Sequence, residues 1–166
     1  MNKTALFYFV LKERETKDNV YLQTTGEFPD NPAMVWGYQI LDVNGIGVVY
    51  AKKCCEDGNV PSAKWADFGG FAKKAIINGS PGFLPSVTLF ERYWTPALRD
   101  NIPLMDRFLV LNGVDAERTG WHGTPWCFED TAFRAFLFGM ESGKADTENK
   151  LNVFGDYRLA VAHRKG

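Results

Sequence analysis

The chain has 166 residues, of which 45% are hydrophobic and 14% aromatic, a composition typical of ordered globular proteins and not of disordered ones. Its 19 basic and 20 acidic residues give a formal net charge of −1, so no global field attracts duplex nucleic acid or anionic lipid. No window reaches the roughly eighteen apolar residues of a membrane span. The length therefore predicts one globular domain over residues 1–166, with no membrane segment.

The cysteines and the first apolar run bear on the compartment. Two of the three cysteines are adjacent, Cys54 and Cys55, and the set forms no even, spaced disulfide framework. The apolar run at residues 5–11 is followed by charged residues and by no small-residue cleavage site, which favours a first strand over a signal peptide. We therefore expect a cytoplasmic protein in a reducing environment.

The first third of the chain has the pattern of β-strands. Asn44-Gly45 is the strongest hairpin signal in the sequence, because both residues accept the positive φ of a type I′ turn. The pair joins two strand-like runs, and two earlier runs have a similar aromatic and β-branched composition. We predict a four-stranded antiparallel meander built from residues 5–11, 20–25, 34–41 and 46–53.

The middle of the chain combines helical and extended patterns. A helix is predicted from Ser62 towards Asn78, weakened by Gly69-Gly70, and residues 86–94 are predicted to form a fifth strand. Thr95-Pro96 provides a cap and a proline at the first helical position, which predicts a short helix ending near Asn101. Residues 103–111 suit either a helix or a short strand, and we favour the strand.

The last third supplies the main predicted helix. Phe128, Ala132, Phe136 and Met140 recur every four residues, which predicts a core helix from Pro125 to about Ser142. A last strand is expected at residues 157–163, where side chains alternate in character. The predicted fold class is therefore α+β, a mainly antiparallel sheet of about five to seven strands with two main helices packed on it.

Residues 121–127 bring together several side chains that can take part in catalysis. Thr124-Pro125 is a favourable helix start, which would place Cys127 near the third helical position. The positive end of the helix dipole lowers a cysteine pKa there, and His122 could act as the base. This pattern is the basis of an alternative hypothesis, a cysteine-dependent hydrolase or transferase with Cys127 and His122 as catalytic residues and His163 as the other candidate base.

The same stretch also has a structural interpretation. Free cysteine is among the most buried residue types, and Trp121 and Trp126 flank it as they would in a packed corner. Glu129 and Asp130 would raise the thiol pKa and oppose activation. We favour the packed corner over the catalytic interpretation.

The sequence lacks the patterns of metal and cofactor sites. Its soft ligands are few, and adjacent cysteines cannot readily both reach one tetrahedral ion. The glycine-rich stretches do not have the spacing of phosphate-binding loops. We therefore expect no metal and no cofactor; the ligands considered are Cys54, Cys55, Cys127, His122 and His163.

Single-stranded nucleic acid is a further candidate ligand. Aromatic residues on a predicted sheet, with basic residues at its fringe, could stack bases and contact the backbone. Because the net charge is close to zero, we favour the alternative that these aromatic side chains pack in the protein core. The residues concerned are Phe7, Phe9, Tyr21, Trp36, Tyr38 and Tyr50, with Lys12, Lys52, Lys53, Arg158, Arg164 and Lys165.

Binding of a protein partner is the leading hypothesis. Aromatic residues near long loops at 26–33, 79–85 and 112–124 resemble the anchors of protein interfaces. We predict a small inhibitor or accessory protein; the alternatives are the cysteine-dependent enzyme and the single-stranded nucleic-acid binder. The predicted binding residues are Trp121, Trp126, Trp36, Tyr38 and Trp94.

Overall fold

The computed structural model describes residues 8–12, 19–22, 27–43, 45–51, 64–113, 124–152 and 157–164. Within these ranges the fold is α+β, and most strand pairs are antiparallel. No helix in the described part is long and apolar enough to cross a membrane. In chain order the elements are β1 (Phe9–Lys12), β2 (Asn19–Leu22), β3 (Val35–Val43), β4 (Ile46–Ala51), α1 (Trp65–Lys74), β5 (Ile76–Ile77), β6 (Ser80–Pro81), α2 (Val87–Tyr93), α3 (Pro96–Leu111), β7 (Thr124–Asp130), β8 (Arg134–Gly139), β9 (Lys144–Asn149), β10 (Tyr157–Arg158) and β11 (Ala160–Arg164).

The larger sheet has seven strands in the order β11-β4-β3-β1-β2-β5-β6. Its two ends meet, because Phe83, just after β6, forms an antiparallel bridge with Ala162 of β11. The Phe83 N–H donates to the Ala162 carbonyl at 3.0 Å, and the Ala162 N–H donates back at 2.8 Å. This bridge links the two edges of the sheet and pairs the outer edge of β11 at Ala162.

The smaller sheet has four strands in the order β10-β7-β8-β9. β10 pairs with β7 in parallel, and one residue later the chain enters the larger sheet as β11, antiparallel to β4. The linking residue, Leu159, accepts a hydrogen bond from the Ala51 N–H at 3.0 Å. Residues 157–164 therefore join both sheets.

Both faces of the larger sheet are buried, in two separate apolar clusters. One contains Phe9, Tyr38, Tyr50, residues of α2 and α3, and Cys127. The other contains Val10, Trp36, Val49, residues of α1, and Trp126. Since successive strand residues point to opposite sides, β7 sends Trp126 into one cluster and Cys127 into the other.

The helices begin at residues that satisfy their first backbone N–H groups. The Ser86 hydroxyl accepts from the Leu89 N–H at 3.0 Å to start α2, and Thr95 accepts from the Leu98 N–H at 3.1 Å to start α3. The Asp67 carboxylate accepts from the Lys64 N–H at 3.1 Å at the start of α1. Helix α3 then runs to Leu111 through Pro103, far beyond the predicted end near Asn101.

Several predicted strands are confirmed, and one feature of their order is not. β3 and β4 form the predicted antiparallel hairpin, with Gly45 at φ 78°, and β2 returns antiparallel to β1. The order is β2-β1-β3-β4 and not a sequential meander, since β1 pairs with both β2 and β3. The last strand is confirmed but is divided into β10 and β11.

Three other element predictions are wrong. Residues 124–149 form the strands β7, β8 and β9 and not a core helix, because the four-residue recurrence of apolar side chains also fits a strand face of period two. Residues 86–94 contain helix α2 and not a strand, and residues 103–111 complete α3. The described residues therefore contain three α-helices and two sheets instead of two helices on one sheet.

Candidate functional site

Cys127 lies inside β7, and the helix start that was predicted to activate it is absent. Its side chain is fully buried in the core, and its carbonyl accepts a hydrogen bond from Trp65 Nε1 at 2.8 Å. Burial, followed by the nearby charges of Glu129 and Glu91, raises the pKa of the Cys127 thiol well above its ordinary value. The predicted helix start is therefore wrong, and the catalytic role of Cys127 has lost the helix dipole on which it was based; His122 and Trp121 lie outside the described residues.

Most of the predicted binding aromatics belong to the core. Trp126 and Tyr38 have no exposed surface, and Trp36 is 8% exposed. Each projects from a strand into one of the two apolar clusters, so none presents a ring to a partner. The rings of these three residues fill the space between the sheets and helices.

Trp94 is half-buried and has an identifiable structural role. Its Nε1 donates to the Met140 carbonyl at 2.6 Å, which fixes the turn between β8 and β9. Gly143 lies against its ring, where an added Cβ would come within 2.9 Å, and φ there is 74°. Trp94 therefore anchors this turn, with the Arg99 guanidinium 5.9 Å from its ring centroid.

The aromatic platform predicted for nucleic acid is also covered. Phe9, Trp36, Tyr38 and Tyr50 are buried, and Arg158 is buried with them. A stacking surface requires exposed ring faces, and none of these four residues is more than 8% exposed. Phe7, Lys52, Lys53, Lys165 and the side chain of Tyr21 lie outside the described part of the chain.

A charged cluster lies in the core. Asp106 of α3 is 0% exposed and Arg158 of β10 is 4% exposed. Two guanidinium nitrogens of Arg158 donate to the two Asp106 oxygens at 2.8 and 2.9 Å, and its Nε donates to the Ala51 carbonyl at 3.1 Å. The Tyr38 hydroxyl donates to Asp106 at 2.6 Å. This pairing joins α3, β3, β4 and β10.

Tyr50 completes the surroundings of this cluster. The Arg158 guanidinium lies 4.5 Å from the centroid of its ring. The Tyr50 hydroxyl is buried and has no hydrogen-bond partner among the described residues. Burial raises the pKa values of both Tyr38 and Tyr50. Since the cluster is closed to solvent, its arrangement fits a structural role and not contact with a substrate.

Apolar side chains are exposed at one end of the smaller sheet. Phe133, in the turn from β7 to β8, is 80% exposed, and Leu151, just after β9, is 71% exposed. The Lys150 N–H donates to the Phe133 carbonyl at 3.1 Å, so the two turns are adjacent. Phe128 is 55% exposed on β7, where the pairing with β8 shifts register. We call Phe133 and Leu151, on these two adjacent turns, the apolar end.

Both turns of the apolar end are held by specific hydrogen bonds. The Thr131 N–H donates to the Arg134 carbonyl at 2.7 Å, which closes the turn that carries Phe133. The Asn149 side chain accepts from the Leu151 N–H at 2.8 Å. The exposure of Phe133 and Leu151 therefore belongs to ordered turns.

Charged groups surround the apolar end and are already paired. Lys150 forms an ion pair with Asp130, and its ammonium lies 5.1 Å from the centroid of the Trp65 ring. The Arg134 Nε donates to the Thr147 hydroxyl at 2.8 Å. An apolar centre with a satisfied polar rim is the usual anatomy of a protein interface.

Comparison with protein-family models and with curated proteins finds no match to this chain. In the part of the chain that the structure describes, no three His, Cys, Asp or Glu side chains are grouped so that they could hold a metal ion. The sequence offered no direct signal for the apolar end, because Phe133 fell within the core helix predicted from Pro125 to about Ser142. A correct prediction of the β7–β8 turn would have indicated that the Phe133 side chain is exposed.

Proposed function

We propose that this protein binds a protein partner through the apolar end, as a small inhibitor or accessory protein. The observation that carries the proposal is the exposure of Phe133 and Leu151 on two adjacent turns. Large apolar side chains held in ordered turns lose little conformational freedom when a partner covers them. We place the interaction in the cytoplasm, since the cysteines form no even, spaced framework.

The chemistry of the surface favours a protein over other ligands. The surrounding charges have both signs and include the Lys150–Asp130 pair, so the apolar end has no single-sign field for nucleic acid. Covering one large apolar side chain stabilises a complex by about 1.5–3 kcal/mol. Two such anchors at the centre of a small interface could supply most of its specificity.

The test compares two double variants of the full chain. F133S/L151S removes both anchors of the apolar end, whereas L104S/L111S alters two exposed leucines on α3 and serves as the matched control. Tagged forms are expressed in the source cells, and co-purified proteins are quantified by mass spectrometry. We expect one partner to be retained by the wild type and the control but lost from F133S/L151S.

The partner is then purified and its affinity for each form is measured by calorimetry. Loss of two anchors should weaken binding by about a hundredfold or more, whereas the control should change it less than threefold. Equal recovery of all proteins by the three forms would refute binding at the apolar end. Turnover of a thiol-type substrate by the wild type, abolished by Cys127→Ser, would also refute the proposal, because it would assign the function to Cys127.

A further inference from the structure

β9 forms an open edge of the smaller sheet, next to the turn that carries Leu151. The ends of the larger sheet are joined at Phe83 and Ala162, and β10 is only two residues long. β9 has six residues and no strand beyond it in the order β10-β7-β8-β9. Among the described strands it is the long edge that a further strand could extend.

The pairing of β9 with β8 defines which backbone groups lie at this open edge. Antiparallel strands alternate between residue pairs that exchange hydrogen bonds and pairs that do not. Lys150 donates to Phe133 across the two strands, so even-numbered β9 residues direct their backbone groups towards β8. The N–H and carbonyl groups of residues 145, 147 and 149 therefore point to the open edge.

The outward N–H groups of Thr147 and Asn149 already have acceptors within the strand. The Thr147 N–H donates to Asp146 Oδ1 at 2.7 Å, and the Asn149 N–H donates to Glu148 Oε1 at 2.8 Å. Each acceptor belongs to the preceding residue. These two carboxylates occupy the positions that the carbonyls of an incoming strand would need.

The outward carbonyls of the same two residues are satisfied as well. The Thr147 carbonyl accepts from Arg134 Nη2 at 2.7 Å, and the Asn149 carbonyl accepts from the Asn152 N–H at 3.0 Å. All four outward groups of Thr147 and Asn149 are therefore bonded within the chain. A second strand could pair there only after it had displaced these bonds.

We infer that Asp146, Glu148 and Arg134 cap the β9 edge and prevent a second copy of this chain from pairing with it, edge to edge. A second copy is the relevant occupant because it presents the same six-residue edge, and two antiparallel β9 strands would join two four-stranded sheets into one. The caps act by occupying hydrogen-bond groups and not through their charge alone.

Two variants separate capping from charge repulsion. D146A/E148A removes the acceptors and the charges, whereas D146N/E148Q removes the charges and keeps an acceptor oxygen at each position. Mass is measured by light scattering over a hundredfold range of protein concentration. We expect D146A/E148A to form a dimer at concentrations at least tenfold lower than the wild type does, and D146N/E148Q to match the wild type.

Adding Thr147→Pro to D146A/E148A tests where the copies meet. Proline removes an outward N–H without removing a β8–β9 hydrogen bond, so it should reverse the association.

Hydrogen exchange of the wild type provides a measurement that needs no variant. The Thr147 and Asn149 amides should exchange at least tenfold more slowly than the Ala145 amide at the same edge.

Each alternative result overturns the inference. Equal association of D146A/E148A and D146N/E148Q would assign the effect to charge repulsion. Absence of association in D146A/E148A, persistence of the dimer with Thr147→Pro, or equal exchange at Ala145, Thr147 and Asn149 would show that the edge is not capped as described.

Discussion

The buried Arg158–Asp106 pair and the apolar end reverse the usual distribution of polar and apolar groups. In the core, full charges are enclosed, and the guanidinium and the carboxylate are bonded to each other and to Tyr38 and Ala51. At the surface, Phe133 and Leu151 are exposed on ordered turns. The contrast indicates that the charged cluster contributes to folding, whereas the apolar end stays exposed to solvent.

The largest expected effect is at Asp106. Asp106→Ala leaves the Arg158 guanidinium buried without its carboxylate, which should lower the free energy of unfolding by about 3–5 kcal/mol. Chemical denaturation measures this change. Asp100→Ala on the same helix breaks an exposed pair with Arg99 and should cost no more than about 1 kcal/mol. Similar costs for the two variants would contradict the structural role of the cluster.

The two core tyrosines should respond differently to loss of the hydroxyl. Tyr38→Phe removes a donor to the buried Asp106 carboxylate and should cost about 1.5–3 kcal/mol of unfolding free energy. Tyr50→Phe removes a buried hydroxyl with no partner in the described chain and keeps the ring beneath Arg158, so it should be neutral or stabilising. A larger loss from Tyr50→Phe than from Tyr38→Phe, in the same denaturation assay, would refute this assignment.

Stability should fall at alkaline pH because burial raises the pKa values of Cys127, Tyr38 and Tyr50 in the folded state. In the unfolded chain these groups lose protons from about pH 8.5 for cysteine and about pH 10 for tyrosine, while the folded protein retains them. The unfolding free energy is therefore at its full value below about pH 8.5. Above that it declines by up to about 1.4 kcal/mol per pH unit for each group.

Guanidinium unfolding at intervals from pH 7 to pH 11 measures this decline. The C127A/Y50F variant lacks two of the three groups and should show a shallower slope. A flat profile in the wild type would mean that these side chains reach water in the folded state.

The smallest expected effect is at the apolar end. F133S/L151S should change the unfolding free energy by no more than about 0.5 kcal/mol per residue, because exposed side chains contribute little to the folded state. Thermal denaturation measures it. A cost above about 2 kcal/mol would assign Phe133 and Leu151 to the folded core and remove the contrast with Asp106.

Two Thr-Pro pairs show what local sequence can predict here. Thr95-Pro96 starts α3 as its cap and proline predict, but Thr124-Pro125, with the same residues, starts strand β7. The difference is tertiary, since Pro125 is paired with Arg158 in the parallel β7–β10 ladder. A capping signal fixes how a helix can begin, and distant pairing decides whether it forms.

The β3–β4 hairpin was predictable because its turn and its alternating side chains agree within a few residues. Residues 86–94 were not, since their β-branched and aromatic composition favours a strand, whereas Val87, Phe90 and Trp94 have the three- and four-residue spacing of a helix, which α2 adopts. The charged cluster depends on a contact between residues 52 positions apart, which one sequence does not display. The exposure of Phe133 likewise depends on a turn that the predicted helix obscured.

The passage of the chain from β10 through Leu159 into β11 has a consequence for synthesis. Residues 157–164 supply a partner for β7, a partner for β4, the guanidinium for Asp106 and the bridge to Phe83. These residues are translated after every other described element. On the ribosome, neither sheet can be completed until they have left the exit tunnel, so the earlier strands and helices should depend on chaperones or on one another until residues 157–164 emerge.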